Sequence, residues 1–199
     1  MIAALYVETG GAYYGIPDVD PWDEARDARK YGGPHPVIAH PPCARWCALA
    51  GFVEHQYGYK RGEDGGCFAA ALAALRAWGG VLEHPAYSAA WAAHGLIAPP
   101  RSGGWVGAGL LDPGWTCHVE QVHYGHEARK ATWLYAVGAD LPSLRWGRGR
   151  GTAVVSRMHV TGARMRTSPR LGGQGDPRAK ATPPAFREIL IAMARSARP

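Results

Sequence analysis

The sequence predicts an α/β fold with a mainly parallel sheet and an antiparallel hairpin at its edge. Two observations lead there. Between residues 2 and 85 short apolar runs of strand character alternate with helical segments, the order that builds parallel sheets. Two further alternating runs, 115–125 and 131–138, are joined by the short charged turn His126-Glu127-Ala128-Arg129-Lys130, which suits antiparallel neighbours.

The elements follow in order. Residues 2–7 (IAALYV) form a buried strand that runs into the glycine turn ETGGAYYG. Residues 20–31 read as a helix, with Asp20 as N-cap, Pro21 at the first position, acids leading, bases trailing and Gly32-Gly33 as the stop. HPVIAH (35–40) is a second strand. The alanine-rich stretch 65–78 is a helix closed by Gly79-Gly80, and 79–85 is a third strand broken by Pro85. After the hairpin, residues 139–181 are rich in Gly, Arg and Ser, with one short strand candidate at 152–156. A closing amphipathic helix spans 182–197, with Thr182 capping and two prolines in its first turn.

A chain of 199 residues suits one domain with a real core. It divides into a core over 1–140 and a basic, loop-rich segment plus helix over 141–199, in the same domain or as a small appendage. No apolar run is long enough to span a membrane, and the N-terminus lacks the basic and apolar regions of a signal peptide. A cytoplasmic setting is expected, where Cys43, Cys47, Cys67 and Cys117 are thiols or metal ligands rather than a disulfide framework. Net charge is +6, unevenly spread: residues 141–199 carry 12 Lys and Arg against 2 acids, and residues 1–140 carry 10 against 14. A basic tail of this kind fits a polyanion, nucleic acid first, or a solvated basic surface.

Three stretches carry residues suited to chemistry. Cys43 follows a strand and two prolines that fix the backbone, at the strand end where open α/β sheets bind ligands. A rigid, partly exposed thiol near Arg45 can have a lowered pKa and act as a nucleophile, although a free cysteine is more commonly buried and inert. Glu83 ends the third strand on the same edge of the sheet, where a pocketed carboxyl can stay protonated and act as a hydrogen-bond donor; otherwise it is a surface residue. His84 should point to the other side. The turn ETGGAYYG lets a ligand approach the backbone. Cys43 and Cys47, spaced C-x3-C with His40 upstream, fit zinc poorly, so no metal is expected. Tyr13, Tyr14 and Trp46 are candidates for stacking on a base.

Taken together, ALYVETGGAYYGI (4–16), HPPC (40–43), VLEHP (81–85) and YGHEARKATWLYAVG (124–138) resemble, in order, motifs of the cytosine-C5 DNA methyltransferases, including small phage-type relatives. The resemblance covers roughly residues 1–140. It implies a Rossmann-like methyltransferase core and S-adenosylmethionine held by Tyr6, Glu8, Thr9, Gly10, Gly11, Asp20 and Pro41. It implies Cys43 as the nucleophile that adds to C6 of cytosine, Glu83 as the group that holds N3, and Arg129 or Lys130 on the base O2 or the backbone. The partner would be DNA, its cytosine flipped out or unpaired, contacted by Arg45, Arg148, Arg150, Arg157, Arg164 and Arg166. A phage origin would place it in the host cytoplasm.

The chain departs from that pattern in places. Glu8 stands where the family has its first glycine and Ala4 where it has an acid. Some 21 residues separate Gly15 from Val37, short of the strand–helix–strand that forms the adenosine half of a donor site. Three readings follow: a minimal methyltransferase, the same Cys43 and Glu83 chemistry with another electrophile or none, or a relative that binds nucleic acid without catalysis.

Overall fold

The computed structural model describes residues 1–47, 50–155, 170–171 and 177–198. Four short strands, β1 (Ile2–Leu5), β2 (Val19–Trp22), β3 (Val37–Ala39) and β4 (Gly80–Pro85), lie parallel to one another. Three more, β5 (Trp105–Gly107), β6 (Trp115–Glu120) and β7 (Ala131–Val137), extend the sheet through antiparallel ladders. The order across the seven strands is β2-β1-β3-β4-β7-β6-β5. The protein is therefore mixed α/β. The expected β6–β7 hairpin is present, but β7 lies inside the sheet beside β4, and β5 takes the edge.

Strands β1 and β3 read as unbroken apolar runs because both faces are covered. Helix α1 (Ala50–Tyr57) follows the Cys43 turn, and α2 (Cys67–Trp78) covers one face. There Phe68, Leu72 and Leu75 pack with Leu5, Ala39, Leu82 and Trp91, the last from the short helix α3 (Ala89–Ala93). After the four-residue helix α4 (Pro177–Lys180), α5 (Pro184–Ser196) covers the other face, setting Phe186, Leu190 and Ile191 against Ile2, Ala4, Ile38 and Val81. At the start of β4 only glycine fits, since a Cβ on Gly80 would run into the backbone of Val37.

Two expectations are corrected. Residues 20–31 are not a helix: Val19–Trp22 pair with β1, and only Ala28–Lys30 coil, as a 3-10 turn. Pro21 is tolerated because β2 is an edge strand, where a missing N–H faces no partner. The cap of α5 is Pro183 rather than Thr182, and it makes no side-chain hydrogen bond.

The β1-to-β2 connection, residues 6–18, is built of turns. The face a crossover helix would cover is filled by α5, whose Arg187 Nη1 donates to the Ala12 carbonyl (2.8 Å). Val154–Val155 pair in parallel with Arg170–Leu171 in a separate two-stranded sheet. Among the described residues no helix is long and apolar enough to cross a membrane.

Candidate active site at the strand ends

The register of β3 on β4 sets Ala39 beside Leu82, so the next residues, His40 and Glu83, emerge side by side. Alternation along β4 sends Leu82 to the α2 face and Glu83 to the α5 side. His84 goes back to the α2 face, against Phe68 and Trp91, as expected.

Glu83 is buried and both its oxygens are engaged, with one acceptor position left on Oε2. Its Oε2 lies 3.0 Å from His40 Nδ1, and its Oε1 accepts from Gln121 Nε2 at 2.9 Å. The Thr132 hydroxyl lies 3.3 Å from the same Oε1 and itself accepts from Gln121 Nε2 at 2.9 Å. His40 Nε2 is 2.8 Å from the Tyr13 hydroxyl, so Tyr13, His40, Glu83, Gln121 and Thr132 form one chain of hydrogen bonds. An ionised carboxylate only accepts, which puts the imidazole proton on Nδ1 and, in the neutral ring, leaves Nε2 to accept from Tyr13. The Gln121 amide oxygen is buried and has no hydrogen-bond partner among the described residues.

Burial alone would push the Glu83 carboxyl up. The Lys130 charge and the His40 hydrogen bond outweigh it and hold the group at about 2. The carboxylate is therefore ionised at neutral pH, where a protonated acid was expected. Cys43 is reversed in the same sense. It is half-buried at the head of a turn in which the Trp46 and Cys47 amides both donate to its carbonyl at 2.9 Å. Burial, then the neighbouring Cys47 and Glu83, raise its thiol to about 11 against the pull of Lys130. Arg45, expected to lower it, instead lays its guanidinium over the Tyr59 ring, 4.2 Å from the centroid.

Lys130 is the cation these groups share. Its backbone is left-handed (φ 38°), and Nζ donates to the Lys180 and Ala181 carbonyls at 2.8 and 2.9 Å. Burial lowers its pKa, while Glu83 and Cys43 hold it up. Arg129, the other candidate on this turn, pairs with Glu120 at 3.7 Å. The structure thus gathers Cys43, Glu83 and Lys130 within reach of one another's charge, and adds His40, Gln121, Thr132 and Tyr13.

Comparison with protein-family models, with curated proteins and with solved structures finds no match. What the site does rests on its own residues.

Several of the residues expected to hold an adenosyl donor are engaged within the protein. Both Asp20 oxygens are taken, by Arg26 and the Trp22 indole. Thr9 donates to Asp23 at 2.8 Å, as does Tyr14 at 2.7 Å, and Glu8 and Gly10 are exposed on the turn. Pro41 is buried. The buried Tyr6 hydroxyl has no hydrogen-bond partner among the described residues. Asp20, the acid expected at the ribose, is thus engaged within the protein.

Trp46 is buried and donates to Asp64 at 2.7 Å, a packing role. Arg148 and Arg150 are exposed on the loop whose Gly149 amide donates to Glu120 at 2.9 Å. Arg157, Arg164 and Arg166 lie outside the described residues. Among the described residues no three His, Cys, Asp or Glu side chains come together as metal ligands would, and His40 is held by Tyr13 and Glu83.

The signal for His40 was present in the sequence. It lies two residues beyond Ile38 on one strand, as Glu83 lies two beyond Val81 on the next. Gln121 and Thr132 carried no comparable mark, because the register of β6 and β7 on β4 had to be known first.

Proposed function

We propose that the protein activates C5 of a cytosine in DNA by covalent addition of Cys43 at C6, on a shortened Rossmann-like methyltransferase core. The observation that carries this reading is the grouping of one thiol, one ionised carboxylate and one ammonium at the ends of β3, β4 and the start of β7. The parallel β1–β3–β4 set with a reversed hairpin beside it is compatible with such a core.

The protonation states define the step. Cys43 holds its proton at rest and Glu83 does not. As sulfur bonds to C6, the thiol proton passes to ring N3, where the Glu83 carboxylate accepts the new N–H and offsets its charge. The electron pair of the C5–C6 double bond is then available at C5 for a carbon electrophile. Loss of the C5 hydrogen as a proton and elimination of sulfur restore the aromatic ring. Lys130 stabilises negative charge on sulfur as the proton leaves. The unpartnered Gln121 oxygen beside Glu83 supplies an acceptor for the exocyclic amino group that distinguishes cytosine from thymine. A base reaches the thiol only when flipped or unpaired. Arg148 and Arg150 would hold phosphates.

The test is a DNA strand carrying 5-azacytosine, whose ring nitrogen at position 5 takes a proton in place of an electrophile and so traps the adduct without a donor. A denaturant-stable complex is expected, lost in Cys43→Ser and slowed in Glu83→Gln. No complex with any strand would sink the reading. Labelled S-adenosylmethionine added to ordinary DNA separates two versions of it. Transfer of label identifies a methyltransferase, and adduct formation without transfer identifies the same pyrimidine chemistry with another electrophile.

A further inference from the structure

The rim of the site carries a residue that this chemistry does not use. Tyr87, four positions past Glu83, has a left-handed backbone (φ 65°), costly for any residue with a side chain, yet its ring is spent only partly on packing. The residue is 44% exposed. Its ring meets Trp133 (centroids 5.5 Å apart, 61° between planes) and His118 (5.9 Å, 55°), and both partners are themselves fixed. The Trp133 indole donates to His118 Nδ1 at 3.1 Å and packs on Trp91. Above the Tyr87 ring sits the guanidinium of the exposed Arg101, 5.5 Å from the centroid.

Two backbone hydrogen bonds tie the segment around Tyr87 to the segments that carry the reacting groups, while the ring itself stands on the His84 and Trp133 side of the sheet, opposite the Glu83 side chain. The Ala86 amide donates to the Ala131 carbonyl at 2.9 Å, next to Lys130. The Ala89 amide donates to the Trp46 carbonyl, also at 2.9 Å, three residues from Cys43. Tyr87 is bracketed between the two. A core tyrosine needs neither strain nor exposure. A ring held out from a rigid aromatic base, with an arginine over its exposed face, offers a nucleobase a stacking surface once that arginine moves across to the phosphate.

We propose that Tyr87 and Arg101 form a stacking platform for an unpaired base, so that the protein takes single-stranded nucleic acid beside the strand ends that carry the Cys43 site. The proposal rests on the function proposed above only in taking that base to be a neighbour of the target; the stacking itself needs no cytosine.

A dye-labelled oligodeoxythymidylate, which has no cytosine, therefore tests the platform apart from the addition chemistry. The wild-type protein should bind it more tightly than a duplex of the same length. Tyr87→Ala should weaken binding roughly 5- to 150-fold, and Tyr87→Phe should bind like wild type. Tyr87→Gly should bind as weakly as the alanine variant without a fall in melting temperature beyond that variant's, because glycine suits the backbone. Arg101→Gln should weaken binding and flatten its salt dependence. The proposal is overturned if Tyr87→Ala and Tyr87→Gly bind like wild type, if Tyr87→Phe is as weak as Tyr87→Ala, or if the duplex binds more tightly. Correct oligothymidylate behaviour with no adduct on 5-azacytosine DNA would leave the platform standing and remove the cytosine chemistry alone.

Discussion

The protonation state of Cys43 can be read directly. A thiol raised from its ordinary 9.0 to about 11 is ionised at neutral pH in on the order of one molecule in 10,000, about a hundredth of the ordinary population. Burial is the largest cause, followed by Cys47 and Glu83, with Lys130 opposing. Removing the Glu83 charge therefore recovers only part of the loss: Glu83→Gln should speed alkylation of Cys43 several-fold near neutral pH, short of about 100-fold. Lys130→Met removes the one opposing charge and should slow it. The assay is iodoacetamide labelling from neutral pH upward, followed by mass spectrometry of the peptide carrying Cys43, with each rate divided by its high-pH plateau to cancel accessibility. An apparent pKa at or below 9 in the wild-type protein, or slower labelling in Glu83→Gln, would refute the assignment of the resting proton to sulfur.

Stability should fall with acid in two steps. His84 is buried and held down at about 4 from 6.5, mainly by desolvation. The unfolded chain takes up that proton first, so the stability His84 contributes is complete above pH 6.5 and lost as pH falls toward 4. Glu83, lowered from 4.5 to about 2, contributes stability that is complete above 4.5 and lost toward 2, roughly 3 kcal/mol at most. Melting temperatures across this range should show both losses, and His84→Leu should shrink the upper one, to which His94, His118 and His126, also lowered by burial, contribute; an unchanged upper loss would contradict the burial of a neutral imidazole. Leu190→Ala should cost about 2–5 kcal/mol in urea unfolding, because Leu190 is fully buried between α5 and the sheet. A cost under about 0.5 kcal/mol, the range of surface changes, would mean that α5 does not cover that face.

Much of the sheet was legible because its central strands obey local rules. β3 and β4 are short apolar runs ended by proline, and α2 is an alanine-rich stretch stopped by glycine. Residues 20–31 misled for an equally local reason. Asp-Pro followed by acids and then bases is a good helix start, but the gain from pairing Val19–Trp22 with the buried β1 outweighs it. The interaction that fixes the outcome, Asp20 accepting from Arg26 and Trp22, depends on that pairing and leaves no mark in the sequence.

The same division explains the site. That Cys43 and Glu83 share an edge follows from strand ends and a two-residue period, which the sequence displays. Where their single proton sits does not. A thiolate beside a protonated carboxyl and a thiol beside a carboxylate carry the same number of protons, and local context, with Arg45 two residues from Cys43, favours the first. The second prevails because Arg45 turns away onto Tyr59 while Lys130, 87 residues further along the chain, brings its charge close enough to bias both groups. That approach needs a left-handed backbone at Lys130 and an ammonium anchored on the carbonyls of Lys180 and Ala181. The favoured proton arrangement is thus a product of tertiary placement: moving one cation reverses what the two neighbouring side chains would do alone.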